Sequence, residues 1–209
     1  MCSPQLPVDN MTTTVVLASA STARANILSN AGIGVVQDAS SLDESTIRVA
    51  AHAKGASAEA CAVRLAEAKA IEVSNRHPGA WVIGADQILD HNGTWFEKSA
   101  TQDSARATLL ALRGTEHRLV SAVVLAIDQT VTWKDVKVAR LVVRPFSKTF
   151  LDRYLDRAGD EILGSVGAYC LEGLGAQLFT AIDGDYFTIL GLPLLPLLEA
   201  PRTRGVLDA

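Results

Sequence analysis

The chain is poor in the features that mark most functional classes. Its three cysteines, Cys2, Cys61 and Cys170, lie far apart and show no CxxC spacing. That argues against a disulfide framework or a structural zinc site, and for a reducing compartment. Histidines number four, without HExxH or paired spacing, so a zinc hydrolase centre has no support. A cationic excess is missing too: the net charge is -4, whereas a binder of nucleic-acid polymers clusters Lys and Arg against the phosphates. A few local cations would still suffice for one free nucleotide. The most apolar stretch, Ile189 to Ala200, is about a dozen residues with two prolines, against the roughly 20 that a membrane-spanning helix needs. No basic segment followed by an apolar one stands at the N-terminus, so no secretion signal is expected. Walker A, GxGxxG and GxSxG segments are all missing. The expectation is a cytoplasmic protein that meets neither a membrane nor a nucleic-acid polymer.

What is present is an ordinary globular composition, 48% hydrophobic and 20% charged over 209 residues. A chain of this length buries roughly 70% of the surface its unfolded form exposes, and needs no covalent staple. Residues 1–13 read as a flexible leader and 14–209 as a single domain, with room for two lobes around a cleft. Thr14 to Ala18 reads as a buried strand, leading through Ser19-Ala20-Ser21 into a helix that ends near Asn30. Ser40 to Thr46 reads as a polar connection to a long Ala-rich helix over Ala56 to Asn75. A second buried strand, Trp81 to Ala85, is read as ending at Asp86, and Asn92-Gly93 marks a hairpin. Thr101 heads a helix to Leu112. Two β-rich segments, Arg118 to Ile127 and Val131 to Val143, follow, and then a helix capped by Ser147. The last third is glycine-rich and closes on an apolar helix from Leu194. This order predicts an α/β fold with a mixed twisted sheet flanked by helices.

Several positions carry candidate chemistry. In Ala18-Ser19-Ala20-Ser21-Thr22-Ala23-Arg24, hydroxyls and backbone N–H groups at a helix start could cradle an anion, with Arg24 adding charge. Ser19 or Ser21 could equally be an N-cap, and Arg24 a solvated residue. Asp86 could activate water or hold a metal, or it could begin a turn. Lys69, Lys98 and the pair Asp43-Glu44 read by themselves as solvated charges.

Taken in order, these fragments resemble the Maf family of nucleotide pyrophosphatases. Leu17-Ala18-Ser19-Ala20-Ser21-Thr22-Ala23-Arg24 is similar to its LASxSPRR turn, Leu65 to Ala70 to LAxxKA, and Gly84-Ala85-Asp86 to GAD. Lys98 stands where that family has GKP, and Leu112 to His117 resembles LSGxxH. Gly167 to Gly173, Ile182 to Tyr186 and Gly191-Leu192-Pro193 resemble the C-terminal signature. The likeness spans about residues 14 to 198, and six motifs in order are far more specific than any one.

The resemblance implies an elongated α/β fold with a central cleft and hydrolysis between the α and β phosphates with a divalent cation, Mg²⁺ or Mn²⁺. It makes Asp86 the general base, Ser19, Arg24, Lys69 and Lys98 phosphate contacts, and Glu44 with Asp86 the metal carboxylates. A homodimer is compatible with it. Ala23 departs from the family arginine and Ser99 from the proline after Lys98. Gln87 and Glu172 resemble the branch acting on 7-methyl-GTP, while Tyr169 looks more like the pyrimidine branch. Ala23, Gln87 and Glu172 are therefore the expected specificity positions. The alternatives are a dTTP/UTP pyrophosphatase, or a non-catalytic nucleotide-binding regulator of cell division.

Overall fold

The computed structural model describes residues 14–202, so the expected leader over 1–13 lies outside the described residues. The chain runs β1 (Val15–Leu17), α1 (Thr22–Asn30), β2 (Val36–Gln37), α2 (Glu44–Ala53), α3 (Ala58–Ser74), β3 (Trp81–His91) and β4 (Thr94–Phe96). There follow α4 (Gln102–Leu112), β5 (Glu116–Ile127), β6 (Thr130–Val143), α5 (Lys148–Ala158), two 3₁₀ turns, β7 (Phe179–Asp183), α6 (Tyr186–Ile189) and α7 (Leu194–Arg202). The strands form one sheet in the order β2-β1-β3-β5-β6-β7, with β4 also on β3. β1 pairs in parallel with β2 and β3, and every other pairing is antiparallel. The mixed α/β sheet expected from the element order is what forms. Among the described residues no helix is long and apolar enough to cross a membrane.

Residues alternate across β3, and that alternation organises the molecule. On one face, Val82 and Ile88 join Val120, Ala122 and Val124 of β5 against Cys61, Leu65, Ala66 and Val73 of α3. Gly84 lies on this face and lets the helix come close. A Cβ there would stand 2.2 Å from the Ala66 carbonyl oxygen and 2.8 Å from the Ala70 Cβ. On the opposite face, Ile83 and Ala85 pack with Ile27 and Leu28 of α1 and Leu194 and Leu197 of α7. Farther along, Leu89 joins Leu119, Leu141 and the apolar sides of α4 and α5.

Two sequence expectations need correction. Asp86 does not end a strand: β3 runs on to His91, with Asp86 opposite Ala122 of β5. Cross-strand pairing holds Val82 through Asp90 in one ladder, which a break in the apolar run does not interrupt. The polar connection Ser40 to Thr46 also hides a helix start. Asp43 caps α2 by accepting from Ser45 N and Thr46 N, so its polar residues are the first turn of a helix rather than a loop. The hairpin at Asn92-Gly93 forms as expected, both residues having positive φ, 54° and 83°. Thr101 and Ser147 cap α4 and α5.

Candidate active site

One edge of β3 is incompletely paired. β1 covers it only from Trp81 to Ile83 and β4 only from Leu89 to His91, so among the described residues no strand lies beside residues 84–88 on that side. Arg24 reaches this gap from α1. Its Nη1 donates to the Ala85 carbonyl oxygen at 3.1 Å and to Ser19 Oγ at 3.0 Å, and its Nε donates to the Gly191 carbonyl oxygen at 2.8 Å. Ser21, not Ser19, is the N-cap, accepting from Arg24 N at 3.3 Å. Ser19 instead orients the guanidinium, and Arg24 is no solvated residue. Gly191 has φ +93°, and a Cβ there would press on Arg24 at 3.4 Å, which explains a glycine at this corner.

On the α3 face, Asp86 is 3% exposed and Lys69 6%. Lys69 Nζ donates to Asp86 Oδ1 at 2.6 Å and pairs with Glu44 Oε2 at 2.9 Å. Lys69 is therefore not the solvated charge it resembled in isolation, and Glu44, whose side chain is 42% exposed, is tied to it. Burial pushes the Asp86 carboxyl above its ordinary value, with Lys69 and Arg24 opposing. Burial also raises Glu44, yet Lys69, Arg48 and Arg24 outweigh it and hold that carboxyl below its ordinary value. Lys98 is exposed in the free protein yet lies in the field of the same groups: partial desolvation and the neighbouring Arg24 and Lys69 lower it, against Glu44 and Asp86. Ser19, Arg24, Glu44, Lys69, Asp86 and Lys98 thus form one electrostatic neighbourhood.

The residues fit a hard divalent cation. Asp86 Oδ2 is buried with no hydrogen-bond partner among the described residues, and the Glu44 carboxylate reaches the same lysine. No cluster of three His, Cys, Asp or Glu side chains occurs among the described residues. Two carboxylates completed by phosphate oxygens and water is a usual arrangement for Mg²⁺.

The specificity positions divide. Ala23 and Glu172 line one pocket of about 370 Å³ beside α1, together with Asn26, Tyr186, Phe187 and Leu190. Gln87 points elsewhere, its Nε2 donating to Ser121 Oγ at 2.9 Å and to the carbonyl oxygens of Thr188 and Ile189 at 3.1 and 3.0 Å. It anchors α6, whose Tyr186 lines the pocket. Tyr169 is buried and paired through its hydroxyl with His117 Nε2 at 2.7 Å. Sequence reading missed Arg48, whose Nη2 lies 4.0 Å from Asp86 Oδ2. Its only signal is its place one turn after Glu44, which is visible once α2 is recognised.

The family model described as Maf-like protein matches residues 14–203. A nucleoside triphosphate pyrophosphatase of Paramagnetospirillum magneticum is 52% identical over 91% of this chain and 98% of its own. One from Caulobacter vibrioides is 50% identical over 93% and 98%, and a 7-methyl-GTP pyrophosphatase of Brucella abortus 46% identical over 95% and 100%. A solved dITP/XTP pyrophosphatase of Mycobacterium abscessus overlays at TM-score 0.41 with 14% identity, over 92% of this chain and 95% of that one. That likeness is too distant to carry an argument. The match over nearly all the described residues, with relatives near half identity, places this chain in the Maf-like protein family.

Proposed function

We propose that the protein is a nucleotide pyrophosphatase that hydrolyses the α–β phosphoanhydride of a nucleoside triphosphate, releasing the monophosphate and pyrophosphate. The observation that carries this is Asp86: a buried carboxylate with one oxygen on Lys69 and the other without a hydrogen-bond partner among the described residues, surrounded by cations. In the mechanism we infer, Asp86 orients a water molecule and takes its proton as the water attacks phosphorus. In the metal-free protein burial raises its pKa, and a bound cation would oppose that rise. Arg24 has its Nη2 donors without a partner among the described residues, and with Lys69 and Lys98 it holds phosphate oxygens and offsets charge on the leaving pyrophosphate. Glu44 and Asp86 would hold Mg²⁺ or Mn²⁺, which supplies Lewis-acid stabilisation of phosphoryl oxygens.

The substrate we favour is 7-methyl-GTP. Glu172 is exposed at the pocket beside α1, where its carboxylate can accept from guanine N1–H and the exocyclic amine and oppose the cationic ring. Tyr186 and Phe187 offer aromatic faces in the same pocket. Ala23 keeps that pocket free of a guanidinium that would repel a positive base. Gln87 acts on base choice indirectly, by fixing α6. Such an enzyme works on free nucleotides in the cytoplasm. The test is kcat/KM for 7-methyl-GTP against UTP with Mg²⁺ or Mn²⁺, for which we expect a ratio above one. A ratio below one makes the protein a pyrimidine-triphosphate pyrophosphatase and removes Glu172 from base reading.

A further inference from the structure

Arg48 is not part of the motifs shared with the family, yet the fold aims it at Asp86. It stands one turn after Glu44 on α2, so the two side chains share a helix face. Its Nη1 donates to Glu97 Oε1 at 3.3 Å, while Nη2 stops 4.0 Å short of Asp86 Oδ2. Arg48 Nε and Asp86 Oδ2 are both buried without a hydrogen-bond partner among the described residues. A guanidinium carries five N–H donors, and leaving buried donors unmade is unfavourable. The arginine is only 16% exposed, whereas the Glu97 that anchors it is 61% exposed, so water and salt weaken that pair. α1 by contrast offers one guanidinium, Arg24, with three hydrogen bonds already made.

We propose that Arg48 is a further phosphate-binding residue, parked on Glu97 in the free protein and transferred to the triphosphate when nucleotide enters. The inference rests on the pyrophosphatase reading. A phosphate chain carries more charge than Glu97 and accepts the planar fork of an arginine through two oxygens at once, which a lone exposed carboxylate at 3.3 Å does not. The helix that carries Arg48 is lightly seated. Ala51 is its one fully buried residue, and His52 rests edge-on against Trp95 of β4 at 4.9 Å. A small adjustment of α2 therefore suffices to bring the guanidinium onto phosphate.

Calorimetric titration of the full chain with inorganic pyrophosphate in Mg²⁺ tests this, on wild type, Arg48→Ala, Arg48→Lys and Glu97→Gln. Arg48→Ala is expected to weaken pyrophosphate at least tenfold and to raise KM, with Arg48→Lys recovering part of the loss. Glu97→Gln, which removes only the parking site, is expected to bind as tightly as wild type or more tightly. Unchanged affinity in Arg48→Ala overturns the proposal. A loss in Glu97→Gln equal to that in Arg48→Ala also overturns it, because Arg48 would then be a strap for the Lys98 loop. Should Arg48→Ala fail to fold, Arg48→Lys decides: it loses the fork, and wild-type affinity in it overturns the proposal. A wild type that binds pyrophosphate but hydrolyses no nucleotide overturns the pyrophosphatase reading alone, and the titration still decides Arg48. No binding by wild type overturns both.

Discussion

The two faces of β3 carry opposite kinds of polar site. On the α3 face, Asp86, Lys69 and Glu44 are packed against a helix held close by Gly84, and the charges are bound to one another at 2.6 and 2.9 Å. On the other face, Gln87 anchors α6 beside an open pocket whose rim residues Glu172 and Tyr186 are exposed. The charges of the first site are bound to one another, with Asp86 Oδ2 left open among the described residues, and the second site is sparsely bonded. A buried group left unpaired is penalised heavily, while an exposed rim residue can change at little cost to folding. On the proposed reading, the chemistry is built to stay fixed, and base preference is built to vary.

If that division is right, changes on the α3 face lower turnover for every nucleotide alike, and changes around the pocket alter the ratio between nucleotides. The largest effect belongs to Asp86→Asn. Loss of a general base costs about 10²- to 10⁴-fold, or roughly 3–5 kcal/mol in the barrier, with nucleotide binding largely kept. A variant retaining more than about a tenth of wild-type kcat removes Asp86 from that role. Because burial raises the Asp86 carboxyl, the ionised base is lost as pH falls through that raised value. In the metal-free protein the Asp86 carboxyl is therefore expected to titrate above the ordinary Asp value of about 3.9, read by carbon NMR of the carboxyl. A titration at or below that value would count against a buried base.

Lys69→Ala and Lys98→Ala come next, each impairing turnover on all substrates without unfolding the chain. Solvated lysines would instead leave activity unchanged and stability within about 0.5 kcal/mol. Gly84→Ala probes the same face through packing. Its Cβ would overlap the Ala66 carbonyl oxygen, so we expect about 1–3 kcal/mol of destabilisation in denaturant melts. It should also lose turnover as Lys69 is pushed off Asp86. A stable, active Gly84→Ala would show that the helix is free to retreat.

The pocket variants are milder and selective. Glu172→Gln turns one acceptor into a donor against the guanine edge. A mismatched polar pair costs about 1–3 kcal/mol, so kcat/KM for 7-methyl-GTP should fall about tenfold or more while UTP loses less. Equal losses on both nucleotides would erase the division between the faces. Ala23→Arg should shift preference from the cationic base toward neutral ones, read as the same ratio.

Much of this was legible in the sequence because local rules govern it. Ser147, Thr101 and the Asn92-Gly93 turn announce caps and a hairpin through their own backbone preferences. The ordered motifs brought Ser19, Arg24, Lys69, Asp86 and Glu44 into one hypothesis, and the fold places them together. What was not legible depends on partners distant in sequence. Asp86 lies mid-strand because β5 pairs past it, and no pattern within β3 reports that ladder. Tyr169 resembles a substrate-reading residue, yet its hydroxyl is spent on His117, 52 positions away. Arg48 escaped notice because α2 starts inside a stretch whose Asp, Glu, Ser and Thr resemble a loop.

The central claim is that the bond broken lies between the α and β phosphates. Wild-type protein incubated with 7-methyl-GTP and Mg²⁺ or Mn²⁺, with both phosphate products quantified by phosphorus NMR, tests it directly. Monophosphate and pyrophosphate are expected in equal amounts, with no orthophosphate. Orthophosphate with a nucleoside diphosphate, or no product from any triphosphate, would contradict it.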